Sequence, residues 1–237
     1  MEEKINNIIH QAANYYKSNC KFYGDTLIVR DKQLKRISNI LSTLPEGKIN
    51  CIETGASQNI NDGCFGVFFA KISELTNGEF HSVELSKDIL EKSKELYNKL
   101  ELKVKHHHSD SVEFLTKTKI IPNLVHLDSY DINIKNPFPA ALYGWREFIA
   151  IEDKMPLGSI LIVDDNWFKG TWVEYNYTSP PELAGTVEKI TIDYPIIGKG
   201  ANIYHFVKEG ESNWEKISED VIGENVKLIF KKIKNEK

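Results

Sequence analysis

Residues 49–57 read Ile49-Asn50-Cys51-Ile52-Glu53-Thr54-Gly55-Ala56-Ser57, a short apolar run closed by an acid, a threonine and a glycine. Such a run, bounded by turn residues, predicts a strand that turns sharply at its carboxyl end. A segment of helical spacing from Phe65 to Leu75 follows. The succession of apolar run, turn and helix then recurs along the chain. Phe80 to Leu85 leads into a helix capped by Ser86, with Asp88 and Glu91 in its first turn. Val104 to His108 leads into a helix that starts near Ser109 or Asp110 and carries Val112, Phe114 and Leu115. Leu124 to Asp128 leads, after Asn136-Pro137, into a long helix through Trp145, Phe148 and Ile151 to Met155. Ser159 to Asp164, preceded by Pro156 and Gly158, supplies a fifth strand. Strands alternating with helices are the rhythm of βαβ units. The expected fold is therefore α/β, a Rossmann-like, seven-stranded and mostly parallel sheet with helices on both faces.

On the amino-terminal side, Ile5, Ile8, Ile9 and Ala12, then Leu34, Ile37, Ile40 and Leu41, repeat at helical spacing. They predict two helices forming an extension or cap over residues 1–48, ahead of a main domain over residues 49–237. After Trp172 the rhythm changes, and Val187 to Ile192, Asn202 to Val207 and Val226 to Ile233 are expected as strands of an antiparallel C-terminal edge.

A chain of 237 residues, 41% hydrophobic and 27% charged, is long enough to bury one substantial core. Its formal net charge of -4 leaves no basic excess for phosphates, which argues against a nucleic-acid partner and for a small-molecule or glycan substrate. The start, Met1-Glu2-Glu3-Lys4, is charged, and no apolar run approaches the roughly 20 residues of a membrane span. A cytoplasmic protein without a membrane partner is expected, and a homodimer is compatible with these features. Cys20, Cys51 and Cys64 are widely spaced and odd in number, the pattern of reduced packing thiols rather than a disulfide framework.

In a parallel sheet, ligands bind beyond the carboxyl ends of the strands. Gly55 allows close approach of a ligand, and the backbone N–H groups of Ala56 and Ser57 suit a carboxylate or phosphate. Gly63 and Gly66 do not complete a G-x-G-x-x-G spacing with Gly55, which disfavours a dinucleotide fingerprint. Glu84, ending the second strand, is placed to accept both hydroxyls of a ribose. Ser109-Asp110-Ser111 adds a polar point suited to an adenine amino group, although a plain helix cap accounts for the same residues.

Over roughly Ile49 to Trp172 the chain resembles the class I S-adenosylmethionine-dependent methyltransferases. Glu53 and Gly55 match that family's first motif, Glu84 its ribose-binding acid, and Ser109-Asp110-Ser111 its adenine-side motif without the usual glycine. The stretch Gln58 to Asp62 is longer than the family's glycine-rich loop. The resemblance implies S-adenosylmethionine as cofactor, held by Glu53, Gly55, Ala56, Ser57, Glu84, Asp110 and Ser111. Two readings from other classes stand beside it, an NAD(P)-dependent oxidoreductase and a catalytically inactive cofactor-binding module.

The fourth strand ends in His126-Leu127-Asp128-Ser129-Tyr130-Asp131 and the fifth in Val163-Asp164-Asp165-Asn166-Trp167. Neighbouring strands lie roughly 4.8 Å apart, so carboxylates at their ends would repel without a cation or proton between them. Oxygen ligands favour Mg²⁺, Mn²⁺ or Ca²⁺ over zinc. This pattern is similar to the cation-dependent O-methyltransferases of the catechol and caffeoyl-CoA type and of the macrolide and aminocoumarin sugar type. That resemblance implies Asp128, Asp165 and Asn166 as ligands of Mg²⁺ or another hard divalent cation, with Asp164 as a substitute. The cation would acidify an acceptor hydroxyl and aim it at the sulfonium methyl. Where the catechol-type enzymes carry a lysine base, Ser129-Tyr130-Asp131 follows Asp128. Asp128 and Asp131 are then the expected catalytic residues, with Asp131 as general base and Lys169 behind it. Consecutive histidines on a strand face alternately, so His106, His107 and His108 are not expected to share one ion.

Overall fold

The structure, a computed structural model, describes residues 2–20, 25–59, 65–176, 185–210, 212–219 and 226–234. Helices α1 (Glu2–Asn19) and α2 (Asp25–Leu41) precede strand β1 (Cys51–Thr54). There follow α3 (Phe65–Leu75), β2 (Phe80–Glu84), α4 (Lys87–Lys99), β3 (Lys105–His108), α5 (Ser111–Lys117), β4 (Leu124–Leu127) and α6 (Phe138–Ile151). The remainder comprises β5 (Ile160–Phe168), β6 (Trp172–Asn176), β7 (Val187–Thr191), β8 (Ile196–Gly198), α7 (Ala201–Lys208), β9 (Trp214–Glu219) and β10 (Val226–Lys232).

The main sheet runs in the order β3-β2-β1-β4-β5-β10-β9, with β8 paired to β5 as an eighth strand. From β3 to β5 every pairing is parallel, and β10 then pairs antiparallel with both β5 and β9. The order reverses between β1 and β4. Chain crossovers leave in opposite directions there and open a crevice at the strands' carboxyl ends. The central strands β1, β2, β4 and β5 bury both faces, and their period of two divides the core. Cys51, Leu124, Ile160 and Ile162 face α1, α2 and α3, while Ile52, Val125, Leu161 and Val163 face α6 and α7. Ile5, Ile9, Tyr16, Leu34 and Leu41 lie in the first of these clusters, so one core runs across residue 48.

Several local expectations are corrected. Residues 202–207, expected as a strand, lie in helix α7, which turns Ala201 and Ile203 inward after Gly200. The apolar residues there fit either period, and packing against α6 selects the helix. Strand β9 had no counterpart in the sequence reading. The long helix ends at Ile151 and is followed by a single 3-10 turn, Glu152–Lys154. Strand β5 continues past Asp164 to Phe168, because its outer part pairs with β8. Strands β6 and β7 form a separate antiparallel pair. Cys20 and Cys51 are buried thiols, and burial pushes the Cys51 thiol up to about 12. Cys64 and residues 60–62 lie outside the described residues. No helix among the described residues is long and apolar enough to cross a membrane.

Candidate functional site

The turn after β1 depends on Gly55, whose φ of +80° favours glycine. A side chain there would be driven into the backbone carbonyl of Asp128, so the turns after β1 and β4 are in contact at the reversal point. Glu53 is buried under this turn and accepts from Ser57 Oγ at 3.1 Å and Ser82 Oγ at 3.4 Å. Glu53 thus braces the turn from behind, with its carboxylate on the α3 side of the sheet. At the end of β2, Glu84 accepts from the Ala56 N–H at 3.1 Å and the Ser86 N–H at 2.7 Å. Each oxygen uses one backbone donor and retains further acceptor capacity.

Beyond β3, Asp110 caps α5 by accepting from the Glu113 N–H at 2.9 Å, and its other oxygen accepts from the Tyr143 hydroxyl at 2.6 Å. Burial opposes ionisation of Asp110, but the Tyr143 hydroxyl, two backbone N–H groups and Arg146 together hold it below the usual carboxylate range. Burial, seconded by Asp110, pushes Tyr143 up to about 12. Ser111 Oγ lies 3.2 Å from the same hydroxyl. Of the cofactor residues inferred from the sequence, Gly55, Ala56, Ser57, Glu84, Asp110 and Ser111 follow one another along the ends of β1, β2 and β3, with Tyr143 joined to them through Asp110, whereas Glu53 is buried behind the turn.

The ends of β4 and β5 differ from expectation. Asp128 and Asp165 do approach one another, but Lys199 stands between them, with Nζ 2.5 Å from Asp128 Oδ1 and 2.7 Å from Asp165 Oδ2. Lys199 is only 2% exposed. Burial by itself would depress its pKa, and the two carboxylates more than reverse that, raising it above the ordinary lysine value. Burial disfavours the Asp128 carboxylate too, but Lys199, then His126 and Lys227, hold it low.

Asn166, expected as a cation ligand, is fully buried, and its amide is committed to the backbone. Nδ2 donates to the carbonyls of Val163, Asp164 and Val226, while Oδ1 accepts from the Gly200 N–H at 2.7 Å. It thereby anchors the loop that carries Lys199. Asp164, the proposed substitute, pairs with Lys227 on β10. The donor set does not fit a divalent cation. An ion on the Asp128 and Asp165 oxygens would lie within about 4–5 Å of Nζ, where a double charge and an ammonium repel by about 8 kcal/mol at an effective dielectric near 20.

His126, Asp128 and Asp164 also bring possible ligand atoms within 4.8 Å of one another. Lys199 and Lys227 compensate that group's acids as well. His126 is buried between Glu53 and Asp164, 3.7 Å and 3.6 Å from their nearest oxygens, and is edge-packed against Phe69.

Asp131 is exposed on the loop after β4, three residues beyond Asp128. On that loop Ile132 and Ile134 pack with Trp167, Ile192, Ile197 and Val173, and Lys135 pairs with Glu188 of β7 at 3.0 Å. These contacts build a wall beyond β4 and β5. Beside this wall Tyr130 packs against Tyr143, the rings tilted by 34° with centroids 5.1 Å apart. Trp145 turns instead toward Phe148 and Phe206. The three histidines of β3 diverge, His106 to Ser93, His107 to His81 and His108 to the Leu85 carbonyl.

The sequence reading passed over Lys199 and Glu147. Lys199 carries a faint local signal, a cation between two glycines after an apolar pair. Glu147 is 1% exposed on α6 and accepts from Ser129 Oγ at 2.7 Å. In the sequence it is an ordinary helical acid.

No family model and no curated protein matches the chain. Solved structures do. A S-adenosylmethionine-dependent methyltransferase from Clostridium acetobutylicum superposes with a TM-score of 0.51 at 10% identity, covering 89% of this chain and 93% of that one. A candidate methyltransferase from Streptococcus mutans in complex with SAH gives 0.52 at 11%, covering 84% and 97%. NSun6 from Pyrococcus horikoshii with SFG gives 0.55 at 15%, covering 90% and 53%. The likeness lies in the backbone architecture: the chain has the Rossmann-like methyltransferase fold, a mostly parallel central sheet flanked by helices.

Proposed function

We propose that this chain transfers the methyl group of S-adenosylmethionine to a hydroxyl of a small-molecule or glycan acceptor. The observation that carries this reading is the order of groups along the carboxyl rim. The Gly55 turn, the Glu84 carboxylate clamped by two backbone donors, and the Asp110–Tyr143 pair follow one another over β1, β2 and β3. That order matches the amino-acid end, ribose and adenine of the cofactor. The sulfonium methyl would then face the β4 turn, which touches the Gly55 turn. Similarly folded proteins crystallised with SAH or SFG support this choice of cofactor.

In this reading Asp128 orients the acceptor hydroxyl and Asp131 takes its proton. A C–O bond forms as the C–S bond breaks, and S-adenosylhomocysteine leaves. The chain's contribution is placement of the oxygen in line with the methyl. A net charge of -4 favours a small acceptor over a nucleic acid. The deciding test is calorimetric titration of S-adenosylmethionine, S-adenosylhomocysteine and NAD into the wild type and Glu84→Ala. Binding of the first two, weakened roughly tenfold or more in the variant, is expected. Binding of NAD alone would sink the proposal.

A further inference from the structure

Lys199 is held in place by more than its charges. Asn166 Oδ1 accepts the next residue's N–H, and α6 approaches so closely that a Cβ at Gly144 would collide with the Lys199 carbonyl. Gly198, with φ +123°, lets the loop cross directly over the Asp165 backbone. Backbone and side chain are thus fixed independently, and the ammonium is positioned before any ligand arrives.

From this geometry we infer that Lys199 is a built-in cation, permanently filling the place between Asp128 and Asp165 where a divalent ion would otherwise sit. Two carboxylates and one ammonium leave this subsite with one net negative charge. Asp128 keeps 35% and Asp165 27% of its side-chain surface exposed. Such a surface accepts hydrogen bonds, so the group it takes is a hydrogen-bond donor, such as a protonated hydroxyl, rather than an oxyanion that needs a metal to hold it. Lys199 is then a positioning residue that sets acceptor class and metal independence. Its role at an acceptor subsite rests on the methyl-transfer reading; its displacement of a metal does not.

The test is Mn²⁺ titration, followed by loss of the free-ion spin-resonance signal, on the wild type, Asp128→Asn, Lys199→Ala, Lys199→Gln and Lys199→Ala with Asp128→Asn. The wild type is expected to show no Mn²⁺ binding that Asp128→Asn removes. Each folded Lys199 variant should gain affinity by roughly tenfold or more as the ammonium is lost, and the double variant should lose that gain. Wild-type Mn²⁺ binding abolished by Asp128→Asn would overturn the inference, as would folded Lys199 variants that gain nothing. If neither variant folds, the comparison of wild type with Asp128→Asn decides alone. Failure to bind S-adenosylmethionine would instead defeat the functional proposal and leave the manganese result standing.

Discussion

Glu147 on α6 places a carboxyl group in the interior, within reach of the hydroxyls of Ser129, Ser111 and Thr54. Burial raises its pKa above the ordinary glutamate value, opposed by those three hydroxyls and by the charge of Lys199. The unfolded chain releases this proton more readily. Stability from the protonated group is therefore complete below the ordinary glutamate pKa of about 4.3 and is lost as pH rises through the folded value. Glu147→Gln keeps an acceptor for Ser129 and removes the charge. It should raise the melting temperature near neutral pH, with the advantage vanishing in acid; an equal gain at all pH values would place the effect elsewhere. Asp131 makes the opposite case. It is exposed, so Asp131→Asn should leave melting and cofactor affinity unchanged while lowering turnover roughly 10²-fold or more, the usual contribution of a general base. Unaltered turnover would remove Asp131 from the reaction.

At the level of elements, the β2–β3 edge joins two histidines. His81 and His107 share a hydrogen bond of 2.9 Å and stack with centroids 5.2 Å apart, while Phe114 covers His107. Burial depresses both pKa values, that of His107 from 6.5 to about 4, with further lowering by His81, His106 and Lys105. Because the unfolded chain binds these protons more readily, stability is intact above about 6.5 and falls as pH drops toward about 4. Melting curves across that window should show the decline, and His107→Phe should flatten it. An unchanged acid slope would clear the pair of responsibility. The alternation of facing in β3 was legible from sequence, since side chains on a strand alternate by geometry. The partner across the strands was not, because register with β2 is a tertiary property.

Across the whole molecule, α1 and the sheet share one core. Tyr16 is 1% exposed and stacks on Phe65 with centroids 5.5 Å apart, and Ile5, Ile9 and Leu34 join the same cluster as Cys51 and Ile162. The chain should therefore unfold in urea as one transition. Tyr16→Ala should cost about 3 kcal/mol and shift the midpoint without changing the slope. A separate early transition for the first 48 residues would contradict a shared core. The sequence by itself determined the βαβ rhythm, the parallel sheet and the polar rim after β1, β2 and β3, since each depends on local periodicity and on residues adjacent to a strand end. Only the tertiary structure decided which side chains meet beyond β4 and β5. Asn166 belongs to a β5 extension whose pairing with β8 and β10 turns its amide inward, and Lys199 reaches Asp128 from 71 residues away. Both outcomes arise from pairing between distant segments, which local spacing does not encode.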